Sequence, residues 1–248
     1  MENKNIFTNS KLLTFLDEFN ILYSRRPIED NSGGMKSAHL FPLYCYLQIM
    51  KPELIIESGV YKGQGTWFIR ECCPYSKIVS IDISFGNLKV RDDKTIYMEK
   101  DISQIGLKEI VKDYDLDKVL IFFDDHQDFN KRLELLLECG IKNLIFEDNY
   151  PFNQGDCISP KKIVEPFDFY VNENLIKLDN RDYILSKIEH YEEFPPIFKD
   201  NKTRWGNEWL YKTRDPLLSD DDDDVKKYNV FYNERFDYTW ICYLKLKN

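Results

Sequence analysis

A chain of 248 residues with 43% hydrophobic content is long enough to bury one sizeable core, and single α/β domains reach this length. Its formal net charge of −9, with lysines and arginines scattered and no stripe of alternating basic and aromatic residues, argues against a protein that tracks nucleic-acid phosphates. No run approaches a membrane-spanning helix, and the polar start from Met1 to Asn9 lacks a signal-peptide core. The six cysteines (Cys45, Cys72, Cys73, Cys139, Cys157 and Cys242) form no CxxC pair, so a cytoplasmic chain with free thiols is expected.

In chain order, Ser10 caps a periodic segment through Leu12, Leu13, Leu16, Phe19 and Tyr23, and a second helix runs from about Ala38 to Met50, ending before Pro52. Leu54 to Glu57 reads as a buried parallel strand. A glycine turn then leads into a helix from Gly63 to Cys72, and Ile78 to Asp82 and Thr95 to Met98 follow as strands. Ser103 caps a short helix through Leu107, Ile110 and Val111. Val119 to Phe123 is a fourth strand ending in Asp124-Asp125-His126, Phe129 to Cys139 an amphipathic helix stopping at Gly140, and Asn143 to Phe146 a fifth strand ending in Glu147-Asp148. This alternation predicts an α/β fold: a Rossmann-like, doubly wound, mostly parallel sheet with a C-terminal antiparallel strand.

Beyond Asp148 the rhythm loosens. Residues 149–227 are expected to supply a lid and substrate pocket on a core spanning 52–148, behind N-terminal helices in 1–51. Trp205, Trp209 and Tyr211 could stack on a sugar ring or simply pack the lid, and the run from Asp220 to Asp224 reads as a solvated, mobile loop. Tyr238 to Leu246 reads as a long closing strand paired with Tyr228 to Tyr232 in an antiparallel hairpin within 228–248.

Chemistry concentrates at the strand ends. Glu57-Ser58-Gly59-Val60-Tyr61-Lys62-Gly63-Gln64-Gly65-Thr66 has three residues between its first two glycines, unlike the G-x-G-x-x-G of dinucleotide sites. A ligand-free tight turn is the plain alternative. Asp82, beside Ile83, ends the second strand where a carboxylate can accept two hydrogen bonds from a ribose diol, as it also would in an NAD site. The acids after strands four and five fall on the same edge. Such a cluster repels itself unless a cation compensates it, and carboxylate oxygens favour Mg2+. Taken singly, Asp124-Asp125 could be a solvated turn and His126 a structural histidine.

The spacing Glu57-x-Gly59-x-x-x-Gly63-x-Gly65 resembles motif I of class I S-adenosylmethionine-dependent methyltransferases. The acid and His126 after strand four, with Glu147-Asp148 after strand five, are similar to the metal-dependent sugar O-methyltransferases, a group that includes the macrocin and mycinamicin enzymes and the cephalosporin hydroxylase-like proteins. The resemblance spans about Pro52 to Pro151. It implies that Glu57, with the turn formed by Ser58, Gly59, Gly63, Gly65 and Thr66, holds the methionine part of S-adenosylmethionine. Asp82 and Ile83 then take the ribose, Asp101 lies near the adenine, and Asp124 lines the cofactor site. It further implies that Asp124 or Asp125, with Glu147 and Asp148, holds Mg2+ (or Mn2+), and that His126, with Asp125, performs the proton chemistry. The family spacing D-x-x-H would place Phe123 at the acid, which leaves the choice between Asp124 and Asp125 open.

Arg26-Pro27 with Asn31-Ser32-Gly33-Gly34-Met35 looks like the loop that folds over cofactor and substrate in sugar-modifying members. Tyr191 to Ile197 is similar to a segment of proteins from polysaccharide clusters. The expected activity is therefore Mg-dependent O-methylation of a sugar or glycan hydroxyl in glycan, polysaccharide or glycoside biosynthesis, by a homo-oligomer or a chain fused to glycosyltransferase domains. A metal-independent small-molecule methyltransferase, an NAD-dependent oxidoreductase or dehydratase, and a non-catalytic interaction module are the alternatives.

Overall fold

Continuous apolar runs form strands where both faces of a sheet are covered, and β1 (Leu54–Ser58) and β4 (Val119–Phe123) are buried at every position. The computed structural model describes residues 5–165, 168–171, 174–203, 206, 208 and 213–247. With β2 (Lys77–Asp82), β3 (Ile96–Glu99), β5 (Asn143–Phe146), a small separate antiparallel pair β6 (Phe169–Val171) and β7 (Asn174–Ile176), β8 (Ile188–Glu193) and β9 (Cys242–Leu246), the main sheet has the order β3-β2-β1-β4-β5-β9-β8. Strands β1 to β5 are parallel, and β9 runs antiparallel to both β5 and β8. This is the expected Rossmann-like architecture. The order reverses between β1 and β4, which opens a crevice beyond their carboxyl ends.

Alternation sorts the strand side chains into two apolar layers. Ile55, Leu120, Phe122 and Ile145 pack with helices Ser37–Met50 and Gln64–Cys72. Leu54, Ile56, Ile121 and Leu144 pack on the other side with Phe129, Leu133 and Leu136 of helix Phe129–Cys139. Gly140, at φ 70°, ends that helix as its sequence predicts.

Several expectations are corrected. The first periodic segment is two helices, Asn9–Leu13 and Leu16–Tyr23, and Thr8 rather than Ser10 precedes the first. Ser103 does not cap the helix Leu107–Val111, which follows Gly106 without a side-chain cap; it lies in a separate short turn, Ile102–Gln104, that Asp101 caps by accepting the Ser103 N–H. Tyr228 to Tyr232 is no strand: Tyr228 joins helix Asp222–Lys227 to helix Asn229–Asn233, which contains the rest. The aspartate run is no loop: Asp221 accepts the N–H groups of Asp223 and Asp224, with acids in the first turn and Lys226 and Lys227 in the last, which suits the helix dipole. The partner of β9 is therefore β8, so the segment expected to be lid contributes an edge of the sheet, and Trp240 at φ 55° precedes a strand shorter than expected. Trp205, Trp209 and Tyr211 lie outside the described residues. All six cysteines are free, and among the described residues no helix is long and apolar enough to cross a membrane.

Candidate functional site

A cavity of about 360 Å³ opens at the carboxyl ends of β1, β2 and β4. Ser58, Gly59, Asp82, Ile83, Asp101, Asp124, Asp125 and His126 line it, as do Gly33 and Gly34 of the N-terminal loop. That loop is tied over the turn after β1: Lys62 Nζ donates to Ser32 O (2.9 Å), and Asn31 and Gln64 both donate to Met35 O.

The turn is braced chiefly by protein contacts. Gly59 has φ 97°, and a Cβ there would fall 1.9 Å from the Asp124 carbonyl oxygen; at Gly63, φ 88°, it would fall 2.0 Å from Val90 O. The close approach of the β4 end and of the loop after β2 thus excludes a Cβ at these glycines, and Gly59 also lines the cavity. Asp82 accepts the N–H groups of Val60 (2.7 Å) and Tyr61 (3.1 Å) on Oδ2 and that of Ser84 on Oδ1, so accepting capacity remains on Oδ1 for a diol. Glu57, Gly63, Gly65 and Thr66 sit behind the cavity wall. Glu57 is fully buried and accepts from Thr66 (2.5 Å) and Ser80 (2.6 Å); desolvation raises its pKa to about 7. Its Oε1 has no hydrogen-bond partner among the described residues.

Arg132 was not foreseen. It is 5% exposed in an otherwise apolar helix face with Phe129, Leu133 and Leu136, which is the signal that could have marked it. Its guanidinium donates to both oxygens of Asp101 (3.2 and 3.1 Å) and lies 2.8 Å from Asp125 Oδ2, which also accepts from Ser58 Oγ at 2.7 Å. The Arg132 hydrogen bonds hold the Asp101 carboxyl well below its usual range. Asp101 thus faces the cavity already engaged. Asp125 is thus a member of this ion-pair chain, whereas Asp124 joins the cluster described next.

The remaining groups converge. Asp124, His126 and Asp148 each offer a ligand atom, all within 4.8 Å of one another. His126, at φ 54°, places Nδ1 2.9 Å from Asp148 Oδ2 and 3.3 Å from both oxygens of Asp156. Hydrogen bonds to these carboxylates raise the His126 pKa, and burial beside Asp148 raises that of Asp124. Glu147 Oε1 lies 3.1 Å from His39 Nε2 and 3.2 Å from Thr239 Oγ1, and Glu147 is not one of the three clustered residues. Asp156, thirty residues after His126, carried no signal in the sequence.

No family model matches the chain, and no curated protein matches it. Among solved structures it is similar to the apo-structure of CmcI, at 15% identity over 50% of this chain and 57% of that one, with a TM-score of 0.41. A SAH-bound methyltransferase from Podospora anserina, PaMTH1, gives 16% identity, 73% and 75% coverage and a TM-score of 0.40. An O-methyltransferase from Bacillus cereus in complex with SAH gives 18%, 58%, 68% and 0.35. The chain spans less than two thirds of the length of the first of these.

Proposed function

We propose that the chain transfers a methyl group from S-adenosylmethionine to a hydroxyl oxygen, and that the acceptor is a sugar or glycan hydroxyl. The observation that supports this reading is that Asp82, able to take a ribose diol, lines one cavity with Asp124 and His126, which with buried Asp148 behind them are able to take a hydroxyl and its proton. The cavity's volume lies within the usual range for a small-molecule site.

Ser58, Gly59, Asp82 and Ile83 hold and orient the cofactor in this reading. In the neutral ring, Nδ1 of His126 carries its proton toward Asp148 and Asp156, and Nε2 then has the lone pair that accepts the hydroxyl proton as the acceptor oxygen attacks and the carbon–sulfur bond breaks. Carboxylate oxygens of Asp124 and Asp148 fit a hard divalent ion, Mg2+ or Mn2+. When bound there, such an ion would lower the pKa of a coordinated hydroxyl. A cation-independent variant is favoured by the direct contact of His126 with Asp148, which is itself the geometry of an oriented base. Turnover in EDTA separates the two.

The first test is isothermal titration with S-adenosylhomocysteine, with and without Mg2+, with NAD as control. Saturable binding of S-adenosylhomocysteine alone is expected. Binding of NAD would replace the reading with nucleotide-dependent redox chemistry, and binding of neither would favour a non-catalytic module.

A further inference from the structure

We propose that the chain pairs with a second copy of itself at the end of the sheet opposite the catalytic cavity, Tyr75 of each copy entering a groove on the other. This pairing does not depend on the reaction proposed above. The groove, about 570 Å³ against 360 Å³ for the catalytic cavity, lies at the amino ends of β1 and β2. Buried Leu47, Pro52 and Cys73 give it an apolar lining, to which Tyr114 and Tyr75 also contribute. Tyr75 is 100% exposed, and among the described residues its ring stacks on nothing and its hydroxyl has no hydrogen-bond partner. An aromatic ring standing in water beside an open apolar groove is surface that association would bury, and tyrosine is one of the residues that dominate protein interfaces.

Tyr75 is held out on a pinned loop. Nη1 of Arg70 donates to the carbonyls of Pro74 (3.2 Å) and Ser76 (3.0 Å), the residues on either side of it, and Nε of Arg70 is anchored on Asp92 at 2.8 Å. Ser76 Oγ donates to Pro52 O (2.7 Å) and Lys77 N–H to Glu53 O (2.9 Å), which ties the same loop to the groove wall. A knob fixed in this way loses little freedom on binding. Knob and groove adjoin on one surface, so a two-fold axis between two copies seats both knobs at once and closes the assembly as a dimer.

Charge points to a second copy as the occupant. The chain carries a net charge of −9, so two copies repel one another across most of their surfaces, but the charged residues lining this groove are two lysines, Lys51 and Lys77, and one acid, Glu53. Across the same two-fold axis the lysines of each copy meet Glu53 of the other, which makes the rim complementary to itself. The catalytic cavity, at the carboxyl ends of the strands, stays open in such a dimer.

Sedimentation velocity of the full chain from about 1 to 100 μM tests the pairing. Wild type is expected to move from the mass of one chain to that of two across this range. Y75D is expected to remain a single chain, its association weakened at least about 30-fold, as for an interface hot spot. Because Tyr75 is fully exposed, Y75D should keep the wild-type far-UV circular dichroism spectrum. With p-benzoylphenylalanine in place of Tyr75, irradiation should give a covalent dimer whose cross-linked peptides come from groove segments 47–53 and 72–77. A wild-type chain that stays single at the highest concentration overturns the proposal and leaves the groove to some other ligand. A dimer that Y75D leaves intact also overturns it, as does a cross-link that lands outside the groove.

Discussion

Nε2 of His39 lies 3.1 Å from Oε1 of Glu147, with both side chains buried, and Nδ1 of the same ring accepts the Lys36 N–H at 2.9 Å. Because Nδ1 accepts, the ring proton resides on Nε2 and is donated to Glu147. The pair ties the start of helix Ser37–Met50, just after the loop over the cavity, to the end of β5.

Cation binding should follow the Asp124–His126–Asp148 cluster. D124N and D148N are expected to abolish Mn2+ binding measured by calorimetry, while E147Q and D125N retain it. E147Q should instead lower stability by about 1–3 kcal/mol, as a buried donor loses its charged acceptor. A folded E147Q protein that no longer binds Mn2+ would return Glu147 to the ligand set.

Arg132 joins two acids that would otherwise stand uncompensated beside the cavity. R132A is expected to cost roughly 3 kcal/mol in urea denaturation, the lower end for breaking a buried ion pair, because Asp101 is 31% exposed and partly screened. S-adenosylhomocysteine affinity should fall with it. A wild-type denaturation midpoint in R132A would show the chain to be energetically idle.

Stability should decline with pH through the window set by Glu57. Its folded pKa, about 7, lies above the ordinary 4.5, so the folded state keeps a proton that the unfolded chain has already lost. The stabilising contribution is complete below about pH 4.5 and is lost as pH rises to about 7, amounting to as much as about 3 kcal/mol at 1.36 kcal/mol per pKa unit. E57Q should flatten this part of the stability profile; an unchanged slope would assign it to other groups.

Gly59→Ala combines a left-handed backbone with a Cβ 1.9 Å from the Asp124 carbonyl. A loss of about 2–4 kcal/mol is expected in thermal or denaturant unfolding. Mn2+ affinity should weaken too, though no donor is touched, because the end of β4 must move. Wild-type behaviour on both counts would mean that the β1–β4 junction yields freely.

The sequence by itself determined the order and placement of the strands and helices from Leu54 to Phe146, and the fact that acids gather at strand ends, because apolar runs, helical periodicity and glycine stops are local properties. It was misleading after Asp148. There Tyr228 to Tyr232 looked extended, but the charge arrangement of the preceding Asp221–Lys227 stretch starts a helix, and β9 pairs with a strand some fifty residues earlier, Glu193 opposite Cys242. Only the tertiary structure decided which partner each acid meets: Glu147 with His39, Asp125 with Arg132, and Asp148 and Asp156 with His126. Those pairings depend on which side of the sheet each residue faces and on which distant segment is packed there, and sheet order and strand alternation fix both only once the chain has folded.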